Sequence, residues 1–197
     1  NLLELCKRQQ AGLILISTSR VYSIAAMNSI PLREQDECFE IDGLQPLPQG
    51  CSRADIAENF STQAPVSLYG ATKVAAEQLA VEYAATFDFP LWINRCGVLV
   101  GAGQFARPDQ GIFSFWIHAF ANRQPLRYIG FNGSGKQVRD VLHPLDLALL
   151  IDRQLNVGRD ATKPTTLNVG GGINSARSLR QLTDWCASRF GMMTVEA

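Results

Sequence analysis

The chain has 197 residues, 46% of them hydrophobic, enough to bury one large core or a core with an appended lobe. Eighteen basic side chains balance eighteen acidic ones, so no broad electrostatic hold on nucleic acid or an anionic membrane is expected. The longest apolar runs, such as Leu13 to Ile16 and Val98 to Val100, fall far short of the roughly 20 residues of a membrane-spanning helix.

Asn1-Leu2-Leu3-Glu4-Leu5 reads as the interior of a helix rather than a beginning, which raises the expectation of a fragment. The helical spacing of Leu2, Leu3, Leu5 and Cys6 ends near Lys7-Arg8. Gly12 then introduces Leu13-Ile14-Leu15-Ile16, the uninterrupted apolar run of a buried parallel strand. Residues 29–65 are rich in Pro, Gly and acids without clear period, which predicts a long loop with short helical pieces. Residues 67–87 give the strongest helix signal, with Ala71, Ala75, Leu79 and Tyr83 four apart and Pro90 beyond its end. Strands are predicted at 91–95, 126–130, 138–143 and 166–169, and helices at 111–121, 144–155 and 178–190. Strands alternating with helices predict an α/β fold, a doubly wound parallel sheet covered on both faces.

Tyr69 and Lys73 stand one helical turn apart on the same helix face. An ammonium beside a phenol favours the phenolate, which lets a tyrosine serve as a base near neutral pH. The same spacing also occurs on ordinary solvated helix faces, so the pair alone is weak. Ser17-Thr18-Ser19-Arg20-Val21-Tyr22 strengthens it, because it follows an apolar strand at the sheet edge where open parallel sheets bind ligands. Thr18 can hold a reacting hydroxyl against Tyr69; a Ser/Thr cluster that merely caps a turn is the alternative.

The order strand, S-T-x-x-V-Y, long loop, Y-G-x-(S/T)-K, strand and R-x-x-x-x-x-G, then V-R-D-x-x-H-x-x-D, resembles extended short-chain dehydrogenase/reductases acting on nucleotide sugars. The resemblance spans nearly the whole chain. It is nearest to the CDP-paratose 2-epimerase (CDP-tyvelose epimerase) branch of the NAD-dependent epimerase/dehydratase family, through residues 17–23, residues 67–73 and Gly103-Gln104-Phe105.

The resemblance implies a Rossmann-like sheet, NAD as cofactor, a nucleotide-sugar substrate, a homodimer or larger homo-oligomer, and a cytoplasmic enzyme. It implies that residues 1–95 are the C-terminal part of the NAD-binding domain. Residues 96–197 are then mainly a small substrate-binding lobe, with segments returning to the sheet. It assigns Thr18 as hydroxyl partner, Tyr69 as acid/base, and Lys73 as its tuner and a ligand of the nicotinamide ribose. Cys96 falls beside the nicotinamide carboxamide, where simple packing is the alternative. Arg139 matches the arginine that grips the diphosphate, a role that suits a guanidinium, with a salt bridge as alternative. Gln104 matches a residue approaching the sugar nucleotide. Related 4,6-dehydratases carry Asp-Glu directly after the catalytic Thr, where this chain has Ser19-Arg20, so dehydration lacks its acid and base. A net oxidoreductase, a 4-epimerase and a non-catalytic fragment remain as alternatives. Arg20 is either a phosphate contact or a surface arginine.

Two glycine motifs are decoys. Gly101-Ala102-Gly103-Gln104-Phe105-Ala106 fits G-x-G-x-x-A, but Pro108 and Gly111 stand where a helix should continue. Gly130 to Lys136 approaches a phosphate-binding loop, yet Gln137 replaces the required Ser/Thr and a strand follows. Gly170-Gly171-Gly172 reads as a loop after a strand. His118 and His143 are isolated, the five cysteines have no zinc spacing, and no metal site is expected. The family's dinucleotide fingerprint belongs upstream of this sequence, so about one hundred residues of βαβ units are absent from it. The sheet edge they normally cover is expected to be bare.

Overall fold

A computed structural model describes residues 1–105, 107, 110–156 and 165–196. Helix α1 (Leu2–Gln9) turns back through Gln10 in the left-handed region into β1 (Leu13–Thr18). A 3-10 turn (Ser19–Val21) and the short α2 (Ile24–Asn28) follow, and then the hairpin of β2 (Leu32–Glu34) and β3 (Phe39–Ile41). Next come α3 (Leu68–Phe87), β4 (Leu91–Cys96), β5 (Val98–Leu99), α4 (Ile112–Ala121), β6 (Leu126–Arg127) and β7 (Val138–Leu142). The chain continues with α5 (Pro144–Asn156), β8 (Thr165–Val169), β9 (Ala176–Ser178), α6 (Leu179–Phe190) and β10 (Val195–Glu196).

The predicted α/β class holds. Strands β1, β4 and β8 form a parallel sheet in that order, with Leu13 opposite Leu91 and Trp92 opposite Thr165. Side chains alternate across β4 as strand geometry requires. Leu91 and Ile93 pack with α1 and α3 around Cys6, Ala80, Ala84 and Phe89. On the opposite face Asn94 exchanges two amide hydrogen bonds of 2.9 Å with Gln154 of α5. The sheet is thus covered on both sides at its centre. Among the described residues β1 has no partner on its outer edge, and Leu2, Leu5 and Ile16 are exposed.

The lobe has its own core, in which α4 and α6 bury Phe113, Trp116, Phe120, Leu182 and Cys186. Thr183 ties it together, accepting from Trp116 Nε1 at 2.9 Å and from the Tyr128 hydroxyl at 2.7 Å. Strand β7 pairs in parallel with β5 and antiparallel with β9, so the lobe strands continue from the end of the main sheet. Gly170 and Gly171 make that junction possible: a β-carbon on Gly171 would lie 1.9 Å from the Val141 carbonyl oxygen.

Two expectations are corrected. Residues 29–65 hold no helix; their regular part is the β2–β3 hairpin, which docks on the lobe. There Lys136 Nζ meets Glu34 at 2.7 Å, and the Ser178 hydroxyl donates to the Glu37 carbonyl at 2.7 Å. These contacts arise over more than a hundred residues of chain separation, and no local pattern announces them. The long helix is where it was predicted, with Gly70, Glu77, Ala80 and Ala84 buried, whereas Ala71, Ala75 and Leu79 face solvent. The helix is apolar on more than one side, so period alone could not choose between them. The predicted strand at 126–130 is shorter, ending at Arg127.

Candidate active site

The site begins at the carboxyl end of β1. Its parallel register with β4 sets Thr18 opposite Cys96, and Cys96 in turn opposite Val169. The Thr18 hydroxyl accepts from the backbone N–H of Arg20 at 3.3 Å and so caps the turn that follows. Burial pushes the Cys96 thiol up, and its Sγ lies 3.6 Å from the Asn94 carbonyl oxygen. Cys96 is therefore a protonated, packed thiol directly beside Thr18.

Helix α3 brings in Tyr69 and Lys73. Ser67, with φ of +76°, leaves the extended loop and caps the helix by accepting from the Gly70 N–H at 3.1 Å. Gly70 is what lets α3 meet the turn after Thr18: a β-carbon there would sit 2.3 Å from the Arg20 carbonyl oxygen. Tyr69 is 52% exposed, and the Lys73 ammonium stands 5.9 Å from the centre of its ring, within the range of a cation–π contact. Among the described residues neither the Tyr69 hydroxyl nor the Lys73 ammonium has a hydrogen-bond or ion-pair partner in the protein.

Below these groups lies a network that sequence reasoning missed. Glu77, one turn beyond Lys73, is buried, accepts from the Ser17 hydroxyl and forms a 2.7 Å ion pair with Arg95. Arg95 also donates to the Tyr22 hydroxyl at 3.3 Å and to the Glu58 carbonyl at 3.0 Å. Tyr22 donates to Asn168, whose N–H donates to the Glu58 carboxylate at 2.7 Å. Burial works against the charge on Arg95, and Glu77 and Tyr22 together outweigh it, leaving the guanidinium above its ordinary range. One network thereby fixes β1, α3, β4, β8 and the long loop directly under Thr18 and Tyr69. The visible signal was an acid, one of two, in an alanine-rich helix and a lone arginine in an apolar strand.

Arg139 lies on β7 and is exposed to solvent. Loss of surrounding water and then the like charge of Arg20 hold it below the ordinary arginine range. It is not paired to Asp140, whose carboxylate instead covers Gly97 and Gly170. Gln104 is occupied within the lobe, where its amide donates to the Leu99 carbonyl at 3.0 Å and accepts from Ser114. The structure thus joins Thr18, Cys96, Tyr69 and Lys73, sets Arg139 within electrostatic reach of their turn, and leaves Gln104 bracing its loop. Ala106, Pro108 and Asp109 of the rejected glycine motif lie outside the described residues. Among the described residues no His, Cys, Asp or Glu cluster can hold a metal, and no helix is long and apolar enough to cross a membrane.

Comparison with known proteins places this geometry in context. The model of the NAD dependent epimerase/dehydratase family matches residues 1–170. CDP-paratose 2-epimerase of Salmonella typhi is 35% identical over 131 residues, 61% of this chain and 37% of that protein. A probable UDP-glucuronate 4-epimerase of Rhizobium meliloti is 32% identical over 158 residues, 80% of this chain and 37% of that protein. The whole chain superposes on UDP-glucuronic acid 4-epimerase from Bacillus cereus, solved with UDP-glucuronic acid and NAD, with a TM-score of 0.71 at 24% identity. It likewise superposes on MoeE5, solved with UDP-glucose and NAD, with a TM-score of 0.65 at 28% identity. The chain covers 51% and 54% of those two structures, and 37% of each of the two sequence relatives.

Proposed function

Since this chain belongs to the NAD dependent epimerase/dehydratase family, we propose that it carries the catalytic groups of a nucleotide-sugar epimerase working by transient oxidation and re-reduction, CDP-paratose 2-epimerase-like in its reaction. The observation that carries the reading is the approach of α3 to the Thr18 turn at Gly70, which sets an uncommitted phenol and ammonium beside a strand-end hydroxyl. NAD, when bound, supplies reversible two-electron chemistry. The residues present fit its nicotinamide end: Lys73 is free to reach the ribose, and Cys96 flanks the carboxamide as a neutral thiol. The adenosine end needs a glycine turn that this sequence does not contain.

In this reading Tyr69 takes the proton of the reacting hydroxyl and returns it once the oxidised sugar has presented its other face. Thr18 orients that hydroxyl, Lys73 supports the phenolate, and Arg139 grips the diphosphate. Gln104 shapes the sugar-nucleotide side through its loop. Residues 1–95 serve as the C-terminal part of the cofactor domain and residues 96–197 mainly as the substrate lobe, with β8 returning to the sheet. The exposed apolar face of α3, with Leu68 91% and Leu79 56% exposed, supports a homodimer built on that helix. Five free thiols fit a reducing cytoplasm.

A second reading, 4-epimerisation of a UDP-linked sugar, is favoured by the longer alignment with the Rhizobium protein. Dehydration is disfavoured, because Ser19 and Arg20 supply neither acid nor base. The test is to release bound nucleotide from the native protein by acid and to assay turnover of CDP- and UDP-linked sugars. Stoichiometric NAD with epimer formation, abolished in Tyr69→Phe, is expected. Accumulating NADH points to net oxidation, and neither NAD nor turnover points to a binding protein. A Tyr69→Phe variant with full turnover contradicts the assignment.

A further inference from the structure

Residues 19–66 leave the sheet just after Thr18 and return into the helix of Tyr69, and their two ends are zipped together at the site. The Ser23 and Ile24 N–H groups donate to the Ser61 and Pro65 carbonyls at 2.8 and 2.9 Å, and the Tyr22 and Phe60 rings meet edge to face. Arg95 and Asn168 hold Glu58 of the same segment from the sheet. The middle of the segment is fastened elsewhere. Its hairpin lies against the lobe, where the Phe39 N–H donates to the Lys136 carbonyl at 3.0 Å and the Phe39 and Phe131 rings stand 5.6 Å apart. The Lys136 side chain is 13% exposed, and its ammonium is held by the Glu34 carboxylate at 2.7 Å and the Gln35 carbonyl at 2.8 Å. The Ser178 hydroxyl donates to Glu37, and Ser178 pairs with Val138 in the β7–β9 register, so both grips fall at the start of that strand pair. The glycine-rich run before Lys136 thus serves the hairpin. Its Gly133 and Ser134 N–H groups donate within the loop, to the Gly130 and Phe131 carbonyls, instead of lining a phosphate cradle.

A segment rooted in one body at both ends and gripped by another at its middle ties the two together. The chain itself crosses between sheet and lobe at Gly97, after Leu142 and at Gly170-Gly171. The Gly97 and Val100 N–H groups flank that junction and donate to the Val169 and Leu142 carbonyls at 2.9 and 3.0 Å. We propose that residues 19–66 are an arm that fixes the lobe against the Thr18–Tyr69 site, with Lys136 and Glu34 as the positioning residues that latch it. The latch acts through the arm and not on substrate: it holds β7 and β9 in place, so the lobe is already docked when a ligand arrives. With the latch broken, the lobe samples undocked positions, and a ligand that needs both bodies binds only the docked fraction. Its affinity falls with that fraction, while the docked complex reacts as before. The kinetic effect rests on the nucleotide-sugar reading, whereas the arm does not.

The test combines hydrogen exchange and steady-state kinetics of the native protein in Lys136→Met, Lys136→Arg and Glu34→Ala. Arg33→Gln is the control, because its ion pair with Glu40 stays within the hairpin, and it should change neither readout. In Lys136→Met the Phe39, Gly97 and Val100 amides are expected to exchange about tenfold faster, the effect of one lost charge-assisted contact. With nucleotide sugars KM should rise about tenfold while kcat stays within about twofold. Glu34→Ala should move both readouts the same way by about threefold, since Gln35 still holds the lysine, and Lys136→Arg should recover most of the change. Glu34 is 61% exposed, so its variant carries the test even where Lys136→Met does not fold. If Phe39 alone exchanges faster, the hairpin grips the lobe without positioning it and the proposal is refuted. Faster Gly97 and Val100 exchange with an unchanged KM refutes it as well. If Lys136→Met raises KM and Glu34→Ala does not, the lysine meets substrate directly and the latch falls. If these amides loosen as expected but no nucleotide sugar is turned over even by wild type, the arm stands and the nucleotide-sugar reading fails.

Discussion

Replacing Gly70 with alanine tests the step from packing to catalysis most directly. The new β-carbon would lie 2.3 Å from the Arg20 carbonyl oxygen and 3.3 Å from the Ser67 hydroxyl, whereas ordinary contact begins near 3.4 Å. The first neighbour is backbone and cannot rotate away, so α3 and the Thr18 turn must separate by about an ångström. Alanine is the better helix former by about 1 kcal/mol, which opposes the clash. Overpacking of this kind costs about 1–3 kcal/mol, so the net loss of stability is at most about 2 kcal/mol. The catalytic effect should be larger, because a displacement of about 1 Å in a positioned group can lower turnover about a hundredfold. The assay is kcat for the epimerisation together with thermal melting, with Ala71→Ser on the exposed side of the same helix as control. A Gly70→Ala enzyme within about threefold of wild-type kcat would refute the claim that this contact sets Tyr69 against Thr18.

Three further outcomes are expected. Glu77→Ala leaves Arg95 buried without its carboxylate and should destabilise the protein by about 3 kcal/mol in urea unfolding, near the lower end for a broken buried pair because Tyr22 and Glu58 still accept from Arg95. Burial pushes the Cys186 thiol up from 9.0 to about 11, so the folded state holds its proton after the unfolded chain has lost it. The associated stability is complete below pH 9.0 and is lost as pH rises toward about 11, a slope that Cys186→Val should flatten in pH-dependent denaturation. Leu79→Glu lies on the exposed face of α3 and should leave the melting of the fold unchanged while halving the mass seen by light scattering, whereas an unchanged mass would exclude that face from the dimer.

The elements most legible in sequence were those whose signal is local. Leu13 to Ile16 announced a buried strand, Pro90 an end to the long helix, and the Tyr69–Lys73 spacing a shared helix face, and each stands in the structure. What failed was the choice among faces and partners. An alanine-rich helix offers several apolar stripes, and the row through Ala71, Ala75 and Leu79 contains the larger side chain. Packing chose the row through Gly70, Glu77, Ala80 and Ala84, because only there can the helix approach the backbone of the Thr18 turn. The larger apolar row was left on the exposed face of the helix.

The site shows the same division at finer scale. Thr18, Tyr69 and Lys73 were readable because each sits in a short motif with its own chemistry. Gln104 was carried by a likewise short motif, yet its amide is already engaged with Leu99 and Ser114, so the motif identified a loop and not a free contact. Glu77 and Arg95 were invisible as a pair because 18 residues and a turn separate them, and each alone looks like a surface charge. A buried ion pair brings little net stability over apolar packing, but removing either partner is costly. Such a pair therefore holds its elements in one relative position, here β1, α3 and β4 just beneath Thr18 and Tyr69.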